Sequence, residues 1–170
     1  SILTEFQRRK IIYELKSSQP KICGKLKFED QTPSAVLESI DGFRERLMDP
    51  EEASIKAGES TDDVLIAHAE LYTLYDHHLT DHKLIDYARM IQFAVKAFKV
   101  DAEGSQNYIR QFTHILVDEF QDINFAQKVM IDELLKGGAN LWVVGDDDQA
   151  IYGWRGSSVK YILRFSDYYP

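Results

Sequence analysis

The sequence predicts an α/β protein in which a parallel sheet with flanking helices is joined to a mainly helical portion, and three observations carry that prediction. Apolar residues recur at helical spacing from residue 4 to about residue 110. Two short apolar runs with β-branched members then follow, His114-Ile115-Leu116-Val117 and Leu141-Trp142-Val143-Val144. A helical stripe separates them, and a strand, helix, strand order is the one that lays two strands side by side in parallel.

Taken in order, residues 4–16 place Phe6, Ile11, Ile12 and Leu15 on one stripe, and residues 17–31 are less regular. Thr32-Pro33 is an N-cap followed by proline at the first helical position, where a missing N–H costs nothing, and it opens a helix carrying Val36, Leu37, Ile40, Phe43 and Leu47. Asp49-Pro50-Glu51-Glu52 repeats the start signal, and Gly58 supplies a stop. Ser60-Thr61-Asp62-Asp63 has capping-box spacing with Asp in place of Glu, and it introduces Leu65, Leu71, Tyr72, Tyr75 and Leu79. Leu84, Ala88, Ile91, Val95 and Phe98 then advance by alternating steps of four and three. Beyond Gly104 the two apolar runs read as buried parallel strands, because a parallel sheet with helices on both faces needs apolar residues in both registers. Phe125, Val129, Met130, Leu134 and Leu135 form the stripe between them, which stops at Gly137-Gly138, and a last helix is expected over residues 157–165. The division is a helical subdomain over residues 1–110 and an α/β piece over residues 111–170, with no internal repeat.

Composition sets the class. At 170 residues, 44% hydrophobic and 28% charged, the chain has the balance of a folded domain, which excludes disordered and collagen-like classes. With 20 Lys and Arg against 28 Asp and Glu the net charge is -8, so nucleic acid is not held by bulk charge. The single cysteine, Cys23, has no intramolecular disulfide partner and no zinc-type Cys/His set around it, which points to a reducing, cytoplasmic setting and an inert thiol. No run approaches the roughly 20 apolar residues of a membrane span, so no membrane partner is expected. The abrupt start at Ser1-Ile2-Leu3 and the finish at Tyr168-Tyr169-Pro170 lead us to expect a piece cut from a longer protein.

Ligands of open parallel sheets sit beyond the carboxyl ends of the strands, so chemistry is expected just after Val117 and Val144. After the first comes Asp118-Glu119-Phe120-Gln121-Asp122. One such acid can hold Mg²⁺ through its water shell while its neighbour orients a water, although an Asp-Glu pair after a strand is more often a helix N-terminus satisfied by acids. After the second comes Gly145-Asp146-Asp147-Asp148-Gln149-Ala150-Ile151-Tyr152-Gly153-Trp154-Arg155-Gly156-Ser157. Gln149 is suited to touch a terminal phosphate without adding charge beside three acids, and Asp146 can polarise a water or bond the loop. Tyr152 and Trp154 can offer ring faces to unstacked bases, worth about 1–3 kcal/mol per base, and Arg155 can meet a phosphate. The alternative is that Trp154 is a core residue and the glycines shape a turn.

Ile115-Leu116-Val117-Asp118-Glu119-Phe120-Gln121-Asp122 resembles the Walker B segment, motif II, of UvrD/Rep/PcrA-type superfamily 1 DNA helicases, and the second loop resembles their motif III. The likeness covers residues 112–170 well. The helical part is similar only in general character to that family's insertion subdomain, with one closer point at Leu84-Ile85-Asp86-Tyr87, where Ala88 and Arg89 stand in place of the family's further acids. The resemblance implies a partial RecA-like parallel sheet with flanking helices plus a mainly helical subdomain, with ATP and Mg²⁺ as cofactors and single-stranded DNA or a single-strand/duplex junction as partner. It implies that Asp118 coordinates Mg²⁺, that Glu119 is the general base and that Gln149 senses the γ-phosphate. Gln121 and Asp146 become helpers in a relay to a DNA track formed by Tyr152, Trp154 and Arg155. Movement along single-stranded DNA with 3′ to 5′ polarity is the implied activity.

The sequence contains no G-x-x-x-x-G-K-[ST] phosphate loop: Gly24-Lys25 is followed by Leu26, with Gln19 where the first glycine belongs. The chain alone is therefore expected to lack ATPase activity, and its apolar strands to leave exposed surface and self-association. Two rivals stand beside the helicase reading, a non-catalytic DNA-binding or protein-interaction module and a part of a nuclease-helicase subunit. His77, His78 and His82 read as a solvated turn between helices rather than a metal site, and Tyr161, Phe165, Tyr168 and Tyr169 as core aromatics.

Overall fold

The computed structural model describes residues 1–24, 26–27, 29–100, 102–149 and 159–170. Residues 150–158, and with them Tyr152, Trp154 and Arg155, lie outside the described residues, as does the Cys23 side chain. The chain forms two compact units, Ser1–Met90 and Ile91–Pro170. The change from helices to strands near residue 110 falls inside the second.

The first unit is helical because local start and stop signals repeat along it. Helix α1 (Glu5–Ser18) begins at a capping box in which Thr4 Oγ1 accepts from Gln7 N and Gln7 Oε1 accepts from Thr4 N. It buries Ile11 and Ile12, while Phe6, expected on the same stripe, is exposed. After the single turn α2 (Pro20–Cys23), helix α3 (Pro33–Glu45) starts at Thr32 and α4 (Pro50–Gly58) at Asp49, both as expected. Helix α5 (Asp63–Asp81) is capped by Asp62 instead of Ser60, because the Asp62 carboxylate accepts from Val64 N and Leu65 N and leaves Ser60 Oγ to accept from Asp62 N.

Helix α6 (Tyr87–Val100) starts later than its stripe suggests, since Leu84 belongs to the end of α5. Lys83 adopts a left-handed conformation at φ 53°, and Leu84 N donates back to Leu79 O, which is a Schellman closure. Leu3 N and Ile85 N then make a short parallel bridge to Ile85 O and Ser1 O. The core of this unit gathers Ile11 and Ile12 with Val36, Leu37, Ile40 and Phe43 of α3 and Leu71, Tyr72, Tyr75 and Leu79 of α5.

The second unit holds helix α7 (Ala102–Ile109), absent from the sequence expectation because Gly104, Ser105 and Asn107 are weak helix formers. Strands β1 (His114–Val117) and β2 (Asn140–Val143) pair in parallel, Val117 opposite Val143. Helix α8 (Phe125–Leu135) crosses between them, and Gly138 at φ 89° makes the turn back that only glycine adopts readily. The short helices α9 (Lys160–Leu163) and α10 (Phe165–Tyr168) occupy the place of the single last helix that was expected.

The strands are not buried on both faces. Phe120, Ile123 and Ile131 pack with Val117, Leu141, Val143, Ile162, Phe165 and Tyr169 on one face, but on the other Leu116 is 78% exposed, Trp142 63% and Val144 68%. Both registers are apolar as a doubly covered sheet requires, yet among the described residues helices cover one face alone. Tyr161, Phe165 and Tyr169 do join the core, and Tyr169 Oη donates to Asp132 Oδ1 at 2.8 Å.

Candidate functional site

Parallel pairing puts the carboxyl ends of β1 and β2 side by side, and the ladder continues past both strands. Val144 N donates to Val117 O at 2.8 Å and Phe120 N donates to Val144 O at 3.0 Å, so the two acidic turns are tied to each other by backbone. Asp118 Oδ1 accepts from Glu119 N at 2.9 Å, which leaves Oδ2 of this exposed carboxylate free. Glu119 itself is left-handed, at φ 52° and ψ 43°, a conformation that costs a non-glycine residue about 1–2 kcal/mol. It turns the chain abruptly out of β1 into the single 3₁₀ turn Phe120–Asp122, closed by Asp122 N donating to Glu119 O at 2.9 Å.

Phe120 anchors that turn in the core, and Gln121 beside it is 1% exposed. Gln121 Nε2 donates to Glu119 Oε2 at 2.7 Å, and its Oε1 accepts from Asp146 N at 3.0 Å. Asp146 in turn caps the 3₁₀ turn Asp147–Gln149: Oδ1 accepts from Asp148 N at 3.0 Å and Oδ2 from Gln149 Nε2 at 2.6 Å. Of the two uses the sequence allowed for Asp146, the geometry realises the bond to its own loop. The turns meet so closely that Gly145 has no room for a side chain, since a Cβ there would lie 2.6 Å from Gln121 Oε1, 2.8 Å from Ile162 Cδ1 and 3.1 Å from Phe120 N.

Five of the expected site residues, Asp118, Glu119, Gln121, Asp146 and Gln149, are thus brought together. Asp118 and Glu119 offer exposed carboxylate oxygens, the donor chemistry that suits a hard divalent cation. Among the described residues Asp122 Oδ1 is buried without a hydrogen-bond partner. The close fit at Gly145 was not legible beforehand, because it depends on Gln121, from the other turn. His78 and His82 stack at 4.1 Å between ring centroids at the end of α5, and no group of three metal-ligating residues occurs among the described residues. Burial, followed by the neighbouring His82, lowers the His78 pKa.

The first unit has a polar centre that the sequence only hinted at. Arg44 is fully buried, and its Nη1 donates to both oxygens of Asp86 at 2.7 and 2.5 Å while Nη2 donates to Asp76 Oδ1 at 3.0 Å. Arg8 reaches Asp41 at 2.5 Å and Asp86 at 3.5 Å, and Arg89 reaches Asp76 at 3.1 Å. Tyr75 Oη donates to Asp86 Oδ2, and Asp86 also N-caps α6 by accepting from Arg89 N at 2.9 Å. Burial by itself would raise the Asp86 pKa, but Arg44, Arg8 and these two hydrogen bonds outweigh it and hold the carboxyl below its ordinary range. Arg89, where the resemblance led us to expect an acid, supplies the charge that Asp76 needs. Arg44 falls on the apolar stripe of α3, four residues after Ile40, and that position was the available signal of its burial.

The comparisons with known proteins extend across the whole chain. The family model described as UvrD/REP helicase N-terminal domain matches residues 1–170, the helical unit included. The chain is 37% identical over 138 residues to the ATP-dependent DNA helicase PcrA of Bacillus subtilis (strain 168), covering 81% of this chain and 18% of that protein. It is 34% identical over 146 residues to the ATP-dependent DNA helicase UvrD1 of Mycobacterium tuberculosis (strain ATCC 25618 / H37Rv), covering 82% of this chain and 19% of that protein. The chain therefore spans about a fifth of the length of the curated relatives it matches. Motif order, the joined acidic turns and a match over the whole length lead to one conclusion: the chain belongs to the UvrD/REP helicase N-terminal domain family.

Proposed function

We propose that this chain is the part of an ATP-dependent DNA helicase or translocase that joins ATP hydrolysis to movement along single-stranded DNA, with 3′ to 5′ polarity. The observation that carries the reading is the pair of acidic turns bonded to each other beyond the carboxyl ends of adjacent parallel strands. Residues 111–170 form part of a RecA-like core, residues 1–110 its helical insertion, and the setting is intracellular.

Bound Mg²⁺-ATP supplies a polarised γ-phosphate open to attack by water. Asp118 would hold the cation, its carboxylate being exposed beside the bond that it accepts from Glu119 N. Glu119 takes the proton of the attacking water on its carboxylate, and Gln149 contacts the terminal phosphate through a neutral amide where another charge beside Asp146, Asp147 and Asp148 would be repelled. Tyr152, Trp154 and Arg155, a few residues beyond Gln149, line the DNA track. The phosphate loop is supplied by other parts of the whole protein, and the chain alone does not hydrolyse ATP.

Three measurements test this reading. In the full-length protein carrying this chain, Glu119→Gln should lower DNA-stimulated phosphate release by about 10²-fold or more, the scale of a lost general base; unchanged turnover would refute the assignment. Anisotropy of a labelled single-stranded oligonucleotide should show salt-sensitive binding that Trp154→Ala and Arg155→Ala both weaken. Light scattering on the chain by itself should reveal self-association through Leu116, Trp142 and Val144, and a stable monomer would count against that expectation.

A further inference from the structure

We propose that Gln121 is a positioning residue that transmits the state of the turn after β2 to the Glu119 carboxylate through the two ends of one side-chain amide. The proposal rests on the reading of Glu119 as the base. A carboxylate can only accept and a backbone N–H can only donate, so the partners fix which end of the amide faces which: Nε2 meets Glu119 Oε2 at 2.7 Å and Oε1 meets Asp146 N at 3.0 Å. The amide is planar, so a shift that pulls on one bond turns the other.

Three features make this bridge effective. Gln121 is 1% exposed, so water does not replace either partner cheaply. Gly145 brings the second turn to within contact of Gln121 Oε1 and Phe120 N, a separation that any side chain at that position would destroy. Glu119 leaves its strand in a left-handed conformation, and among the described residues Gln121 Nε2 is the donor that its carboxylate meets. The series Glu119 carboxylate, Gln121 amide, Asp146 backbone, Asp146 carboxylate, Gln149 amide is therefore continuous. Motion of residues 147–149 moves the Asp146 N–H and with it the orientation of the base.

The test uses the full-length protein carrying this chain, with kcat and KM for ATP measured with and without a single-stranded oligonucleotide. Gln121→Met keeps the size of the side chain and loses its hydrogen bonds; it should cut the stimulation of kcat by DNA about 10-fold, the scale of one lost buried hydrogen-bond pair, with a smaller change in KM. Gln121→Glu keeps the shape and the acceptor for Asp146 N but puts an acceptor where the Glu119 carboxylate needs a donor, so it should cut the stimulation to a similar extent. Gln121→Glu also serves where Gln121→Met fails to fold. A merely structural role would lower kcat alike with and without DNA, and that result would overturn the proposal. If Glu119→Gln abolishes turnover while the Gln121 variants keep the wild-type stimulation, the positioning role alone fails. If Glu119→Gln keeps full turnover, the assignment of the base fails and takes this proposal with it.

Discussion

In the first unit Arg8, Arg44 and Arg89 stand within ion-pair distance of Asp41, Asp76 and Asp86, so that each of these three acids meets a guanidinium. In the second, Asp118, Glu119, Asp146, Asp147 and Asp148 are exposed, and among the described residues none of them has a lysine or arginine at that distance. The two arrangements use the same side chain for different ends. Carboxylates taken out of water must be neutralised inside the fold, and once neutralised they hold helices in register. Carboxylates left in water beside one another repel and gain from a cation or a protic ligand brought from outside. The difference separates acids that build the protein from acids that stay open to solvent.

Breaking the first arrangement should have the largest effect on stability. Arg44→Met removes the shared partner of Asp76 and Asp86 and should cost about 3–5 kcal/mol in urea denaturation, the scale of an orphaned buried charge. A double-mutant cycle with Asp86→Asn should show strong coupling, and additive losses would mean that the two side chains do not act as a pair. Gly145→Ala, at the joint of the two turns, should cost about 1–3 kcal/mol by overpacking against Gln121 and Ile162. An alanine that leaves the urea midpoint unchanged would mean that the turns are not in contact.

Acid sharpens the same contrast. The folded Asp86 pKa lies below its unfolded value of about 3.9, so its contribution is fully present above that value and is lost as pH falls through the depressed folded value. Wild type should therefore lose stability below about pH 4 more steeply than Asp86→Asn, and parallel profiles would refute the pairing. The smallest effect has the opposite sign. Glu119→Gly made in a Gln121→Met background, where no buried amide is left without its acceptor, relieves the left-handed backbone and should raise stability by about 0.5–1 kcal/mol over Gln121→Met alone, even as it removes the proposed base. A loss of stability there would show that the Glu119 side chain serves the fold.

The parts of this molecule that are local in sequence were the parts legible in it. Thr32 and Asp49 declared their helices because a cap is made within one turn, and Ser60 misled because Asp62, two residues on, takes Val64 N and Leu65 N of the first turn while Ser60 accepts from Asp62 N. The Asp118-Glu119 and Gln149 positions could be read as residue types after apolar strands. The bond from Asp146 N to Gln121 could not, for it joins residues 25 apart, and the Arg44 to Asp86 contact spans 42. Burial of the strands was misread for a further reason: an apolar register says that a face can be covered, and only the surrounding helices decide whether it is.

One side-by-side measurement tests the contrast most directly, namely urea midpoint and DNA-stimulated ATP turnover for Glu119→Gln and Asp86→Asn in the full-length protein. The account predicts that Glu119→Gln keeps stability within about 0.5 kcal/mol, as an exposed substitution does, and loses turnover by about 10²-fold or more, whereas Asp86→Asn loses several times more stability. A Glu119→Gln protein that unfolds readily, or one that turns over ATP at the wild-type rate, would contradict it.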